Sequence, residues 1–119
     1  MKNLIECPAE RAVYFLGGKW KIRILFGLLQ QKKMRFGEFK KALKTITQQM
    51  LSKQLKELEA DGIVNRKVFQ VVPPKVEYSL TDFGTSVIPV LRSLDEWNRR
   101  NSRTISTKLN KNFEESRIR

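Results

Sequence analysis

Hydrophobic residues recur along this chain with two different periods, and the point of change between them sets its organisation. Pro8 suits a first helical turn, where the donor it lacks is not needed, so a helix is predicted to begin at Cys7-Pro8. Ala12, Val13, Phe15 and Leu16 give that helix an apolar side, and Gly17-Gly18 ends it. A second helix is predicted from about Lys19 to Gln30, with Ile22, Leu25, Phe26 and Leu29 at core-facing helical spacing. After a polar turn at Gln31–Lys33, Arg35–Leu43 reads as a short third helix bearing Phe36, Phe39 and Leu43. Lys44-Thr45-Ile46 forms a tight connection. Thr47 can then cap a fourth helix, which runs to about Ala60 before Asp61-Gly62 stops it.

Beyond Gly62 the period falls from 3.6 to 2. Ile63–Val71 is rich in β-branched residues and reads as a strand, and in Lys75–Leu80 the residues Val76, Tyr78 and Leu80 alternate with polar ones. Val72-Pro73-Pro74 joins the two and closes a hairpin, since proline cannot donate within a central strand. Thr81 can cap a last helix from about Asp82 to Arg100, with Phe83, Val87, Val90, Leu91, Leu94 and Trp97 as its apolar stripe. Pro89 removes a backbone hydrogen bond inside that helix and predicts a kink near Thr85. From Asn101 the chain is polar, and reads as a loosely ordered basic tail or a frayed continuation of the helix. The expected fold is mainly α with a small β-hairpin, arranged as one domain over residues 1–100 and a tail over 101–119.

Composition narrows what such a domain can do. With 119 residues and 40% hydrophobic content there is enough for one core. Twenty-four basic residues against 12 acidic ones leave a formal charge of +12, which calls for a polyanionic partner, nucleic acid or an anionic membrane surface. No run approaches the ~20 apolar residues of a membrane span, and Met1–Cys7 lacks the apolar core of a secretory signal. A single cysteine excludes an intrachain disulfide and agrees with a reducing cytoplasm. The absence of histidine excludes Ser-His-Asp, Cys-His and histidine-metal chemistry, so neither an enzyme nor a metal or other cofactor is expected.

Charge and periodicity meet in Thr47–Glu59. Leu51, Leu55 and Leu58 lie at i, i+4 and i+7 and form one buried stripe. Gln48, Gln49, Ser52, Lys53 and Lys56 fall on the opposite side, and these side-chain types can bond base edges and phosphates. Glu57, Glu59 and Asp61 are held back to the C-terminal end, as a helix entering the major groove N-terminus first requires. In isolation such a face is equally a solvated helix surface. Its setting decides the matter. A short helix, a tight turn, this helix and a proline-containing hairpin succeed one another as in a winged helix-turn-helix. Arg66, Lys67 and Lys75 put positive charge on the wing, flanked by Arg35, where phosphates or the minor groove would be met.

Over roughly Cys7–Trp97 the chain resembles the HxlR-type branch of MarR-like winged-helix regulators. The matching runs are CPAERAVYFLGGKWK at 7–21, RFGEFKKAL at 35–43, TQQMLSKQLKELEADGIV at 47–64 and VPPKVEYSLTDFG at 72–84. The resemblance implies a homodimer whose terminal helices pack together, with recognition helices in successive major grooves of a roughly palindromic operator. It implies readout by Thr47–Lys56 and a wing at Lys67–Lys75. Gln49 departs from relatives that often carry a basic residue there, which leaves the base preference at that position open. Dimerisation also has an independent argument, because the Phe83–Trp97 stripe and Val13, Phe15 and Leu16 are much for a small domain to bury alone. The expected interface residues are Val13, Leu16, Val87, Leu91, Leu94 and Trp97; the other reading is that both helices complete an intrachain core.

Cys7 precedes Pro8 at a helix start, where unpaired backbone donors favour a thiolate. Glu6 and Glu10 oppose that effect, and Lys2 and Arg11 offset them. Many HxlR-type regulators use a cysteine at this place to sense oxidants or electrophiles, so the resemblance implies a sensor. An inert apolar residue at the dimer interface is the alternative. Gly17-Gly18-Lys19 lacks Walker spacing and reads as a helix break rather than a phosphate loop. Trp20 and Trp97 read as core or interface anchors. Seven basic residues after Asn98 (Arg99, Arg100, Arg103, Lys108, Lys111, Arg117, Arg119) either add nonspecific DNA affinity or keep the end soluble. The function expected is a dimeric, cytoplasmic, sequence-specific regulator of transcription acting on double-stranded DNA, commonly by occlusion. Its competitors are a nonspecific architectural or RNA-binding module and a protein-interaction module.

Overall fold

The computed structural model describes residues 7–118. They fall into two compact units divided between Val87 and Ile88. The first contains α1 (Pro8–Leu16), α2 (Lys19–Gln31), β1 (Lys33–Met34), α3 (Phe36–Leu43), α4 (Gln48–Ala60), β2 (Val64–Phe69), β3 (Lys75–Leu80) and α5 (Asp82–Thr85). The second contains α6 (Ile88–Arg100) and α7 (Ser102–Ile118).

The core of the first unit is built from α2, α3, α4 and one face of the sheet. Leu51, Leu55 and Leu58 of α4 meet Ile24, Leu25 and Leu28 of α2, Phe39 of α3, and Ile46, Ile63 and Val64 in a fully buried cluster. Removing any one of these leucine side chains would cost about 2–5 kcal/mol. On β3 Tyr78 is buried as its alternation predicts, but Val76 and Leu80 are no more buried than Lys75, Glu77 and Ser79, all five being half-buried. All strands are antiparallel, and their order is β1-β3-β2.

Three features depart from the sequence pattern. The sheet has a third strand, β1, paired to β3 through Lys33↔Ser79 and Met34↔Tyr78, where a polar turn is predicted. Helix α2 buries Ile24, Leu25 and Leu28, while Ile22, Phe26 and Leu29 are only half-buried. Gly27 explains the rotation. A Cβ there would lie 3.0 Å from the Met34 sulfur, so the bare backbone turns Ile24, Gly27 and Leu28 toward β1 and Phe39. The third departure is at Pro89, where a kink is predicted and a break is found: α5 ends at Thr85 and α6 begins at Ile88. Proline then sits in a first turn, where its missing donor costs nothing.

In the second unit, the backbone N–H and side-chain amide of Asn101 both donate to the Trp97 carbonyl, at 3.2 and 2.9 Å. Ile105 N–H reaches back to the Asn101 carbonyl at 2.9 Å. The polar end of the chain is therefore a separate helix across a one-residue turn. No helix of the described residues is long and apolar enough to cross a membrane.

The end of the hairpin is locked to the end of α4. Thr81 N–H donates to the Ile63 carbonyl at 3.0 Å, its hydroxyl donates to the Gly62 carbonyl at 2.5 Å, and that hydroxyl accepts from Gly84 N–H at 2.9 Å. Gly84 is buried, and a Cβ there would overlap the Ile63 carbonyl oxygen. Gly84→Ala is expected to destabilise the fold by about 1–3 kcal/mol, the usual range for overpacking, read as a lowered urea midpoint.

Candidate nucleic-acid interface

Helix α4 begins where its cap predicts. The Thr47 hydroxyl accepts from Met50 N–H at 3.0 Å, satisfying one of the orphan donors of the first turn. The turn before it is held by two contacts. Lys44 adopts φ 51° as the centre of a tight three-residue turn, in which Thr45 N–H donates to the Leu43 carbonyl at 2.6 Å. The Lys40 ammonium donates to the Ile46 carbonyl at 2.6 Å, across the same turn. Lys40 carries no signal in the sequence that distinguishes it from the lysines around it. With Ile46 and the leucine stripe buried, the opposite side of α4 is turned outward: Gln48, Gln49, Lys53 and Lys56 are exposed and Ser52 is half-buried.

The first two turns of α4 hold no acidic residue. Glu57 is drawn to α2 by an ion pair with Lys21 at 2.8 Å. Arg35, Arg66 and Lys67 are exposed on β1–α3 and the hairpin, as predicted for a cationic flank. Lys75 is different. Its ammonium lies 2.9 Å from the Glu77 carboxylate and is half-buried, so the charge expected on the wing is already compensated. Lys67 and Lys75 both lean on the Phe69 ring, each ammonium 4.9 Å from its centroid. Short helix, tight turn, capped helix with a polar outer face and cationic antiparallel hairpin are the parts of a winged helix-turn-helix, and they occur in that order.

A family model for the HxlR-like helix-turn-helix matches residues 15–106. The chain belongs to the HxlR-like helix-turn-helix family. An HTH-type transcriptional regulator of Halalkalibacterium halodurans is 48% identical over 101 residues, 85% of this chain and 89% of the relative. The HTH-type transcriptional regulator YybR of Bacillus subtilis is 50% identical over 99 residues, 83% of this chain and 78% of the relative. Among solved structures, the redox regulator HypR in its reduced form superposes with a TM-score of 0.80 at 44% identity, covering 85% of this chain and 99% of that one.

The residues expected to join two HxlR-like chains divide in their exposure. Val13 on α1 is 56% exposed, and on α6 Leu94 is 45% and Trp97 59% exposed. Leu16 and Leu91, at 7% and 1%, are buried in the single chain and offer a partner almost nothing, and Val87 is intermediate. Tyr14, at 61%, was not among the expected contacts and stands beside Val13 over a shallow apolar depression lined by Ala9, Glu10 and Gly17. Cys7 is exposed and free at the N-cap of α1, with no side-chain capping bond. Lys2 and Glu6, expected to act on it, lie outside the described residues. Two of the seven basic residues beyond Asn98 are paired within α6, Arg99 with Asp95 at 3.1 Å and Arg100 with Glu96 at 3.7 Å. Arg103, Lys108 and Lys111 are exposed on α7, and the side chains of Arg117 and Arg119 lie outside the description.

Hydrogen bonding from Lys21, then the charge of the same ammonium, holds the Glu57 carboxyl below its ordinary 4.5; desolvation works against this and Lys53 adds to it. A carboxylate held low stabilises the fold above its unfolded value, and that contribution is lost as pH falls through the folded value. Glu57→Gln is therefore expected to lower the urea midpoint at pH 7, with the gap to wild type closing as pH falls below about 4.5.

Proposed function

We propose that this HxlR-like regulator acts in the cytoplasm as a homodimeric repressor, seating two copies of α4 in successive major grooves of a near-palindromic operator. The observation that carries the proposal is the outer face of α4. Gln48, Gln49, Lys53 and Lys56 stand exposed on a helix whose first two turns contain no carboxylate. A rigid stripe of buried leucines fixes their direction. Gln can pair bidentately with adenine and Lys can reach guanine acceptors, whereas Arg35, Arg66 and Lys67 would position the backbone without reading sequence. A single helix reads too few base pairs for useful specificity, which favours two. Exposed Val13 and Tyr14 on α1, and Leu94 and Trp97 on α6, supply apolar surface for pairing.

The likeness to the redox regulator HypR supports Cys7 as the switch. Its thiol is exposed at the N-cap of α1, next to the apolar residues assigned to the dimer contact. Oxidation to a mixed disulfide with a small thiol, a Cys7–Cys7 bridge between subunits, or alkylation would tilt the subunits and misalign the two recognition helices.

Selection of bound duplexes from a random pool, with and without diamide, tests readout, symmetry and switch together. The expected product is a two-fold site bound roughly 10³ times more tightly than random DNA. A ratio near one would instead identify a nonspecific nucleic-acid module. Arg66→Ala and Lys67→Ala should weaken binding to all sequences, while Gln48→Ala and Lys53→Ala should each cost about 1–3 kcal/mol at one base position only. If Cys7→Ser and wild type keep the same operator affinity under diamide or quinone, the switch is not at Cys7.

A further inference from the structure

Glu77 is the single acidic residue between Gly62 and Thr81, a stretch that holds Arg66, Lys67 and Lys75. The sheet register places it among cations. Glu77 lies opposite Lys67 on β2, and Lys75, Glu77 and Ser79 share the face of β3 that is turned away from buried Tyr78. Ser79 pairs with Lys33 and Tyr78 with Met34 on β1, so the next step of the register brings Arg35 alongside Glu77. Within this group the carboxylate makes one short contact, 2.9 Å to the Lys75 ammonium. Lys67, although directly opposite, rests on Phe69 and forms no salt bridge among the described residues. The hydrogen bond from Lys75 is the first cause that lowers the Glu77 carboxyl, desolvation opposes it, and the charges of Lys75, Lys33 and Arg35 contribute further.

A lone carboxylate on a surface built to meet a polyanion opposes binding, and here it is half-buried against the lysine it neutralises. We propose that Glu77 is a brake on phosphate binding: it holds Lys75 away from the DNA backbone and so limits sequence-independent affinity, leaving base readout by α4 to decide where the protein resides. The inference rests on the DNA-binding reading and adds to it the residue that sets the balance between backbone and base contacts. Each lysine that neutralises a phosphate releases about 0.9 of a counterion, so freeing Lys75 adds a measurable increment to the salt dependence.

The test is titration of the full chain against a random duplex between 50 and 300 mM KCl. Glu77→Gln should bind roughly fivefold more tightly at 150 mM salt per freed contact, with a slope of log K against log[salt] steeper by about 0.9 per protomer. Glu77→Asp, which keeps the charge, should stay close to wild type. Lys75→Gln should leave the slope unchanged, because the lysine it removes makes no phosphate contact, and adding it to Glu77→Gln should cancel the gain. The duplex preferred in selection should be the same for all variants. An unchanged slope in Glu77→Gln, a flatter slope in Lys75→Gln, or a gain that survives in the double variant would each overturn the brake. Absence of salt-dependent binding by wild type would instead overturn the DNA-binding reading itself.

Discussion

The structure depends on the burial of Leu51, Leu55 and Leu58 against α2 and α3. A helix anchored along one stripe has only one way to face. Because the stripe recurs at i, i+4 and i+7, the residues between are forced outward over the same two turns. The direction of Gln48, Gln49, Lys53 and Lys56 is thus a packing result before it is a functional one. The same cluster includes Ile46, whose burial pulls the connection from α3 tight and lets the Lys40 ammonium reach its carbonyl. The outward face of α4 is inherited from the hydrophobic core.

The second constraint is where the sheet joins that core. Ile63 and Val64 are buried at the end of α4, and Thr81 bonds the Gly62 and Ile63 carbonyls from the end of β3. Gly84 makes room for the Ile63 carbonyl, so α5 closes on the hairpin without a side chain between them. Hairpin and α4 are consequently tied together at Gly62-Ile63. That tie sets the offset between the cations of the hairpin and the outward side chains of α4, as the proposed simultaneous contact with backbone and base edges would require.

Most of this was legible because it is local. The Thr47 and Thr81 caps, the Asp61-Gly62 stop and the strand at Lys75–Leu80 each depend on residues within one turn or one strand, and the outward side of α4 follows from three leucines. What could not be read depends on partners distant in sequence. A strand as short as Lys33–Met34 has no period of its own and exists only because β3 accepts it. The face of α2 was ambiguous because six of the eight positions from Ile22 to Leu29 are apolar, and only Gly27 against Met34 decides among them. A stripe likewise does not say which of its members one chain can cover, and Leu16 and Leu91 are covered within the single chain. By sequence alone Glu77 is one polar residue of an alternating strand. Its meaning emerges from the register, which gathers residues from three strands around it.

Ion pairing neutralises a few cations of this strongly basic chain. Glu57 ties α4 to α2 through Lys21, and Asp95 and Glu96 pair with Arg99 and Arg100 along α6. Those carboxylates lie beyond the first two turns of α4, and they compensate cations that have scaffold positions. Arg35, Lys53, Lys56, Arg66 and Lys67 take part in no salt bridge among the described residues. An exposed surface pair contributes little to stability, so the distribution of these acids has small thermodynamic weight in the fold. Its weight falls on the external field: a paired cation adds little positive potential, whereas Arg35, Lys53, Lys56, Arg66 and Lys67 add theirs in full to the field that would draw a polyanion.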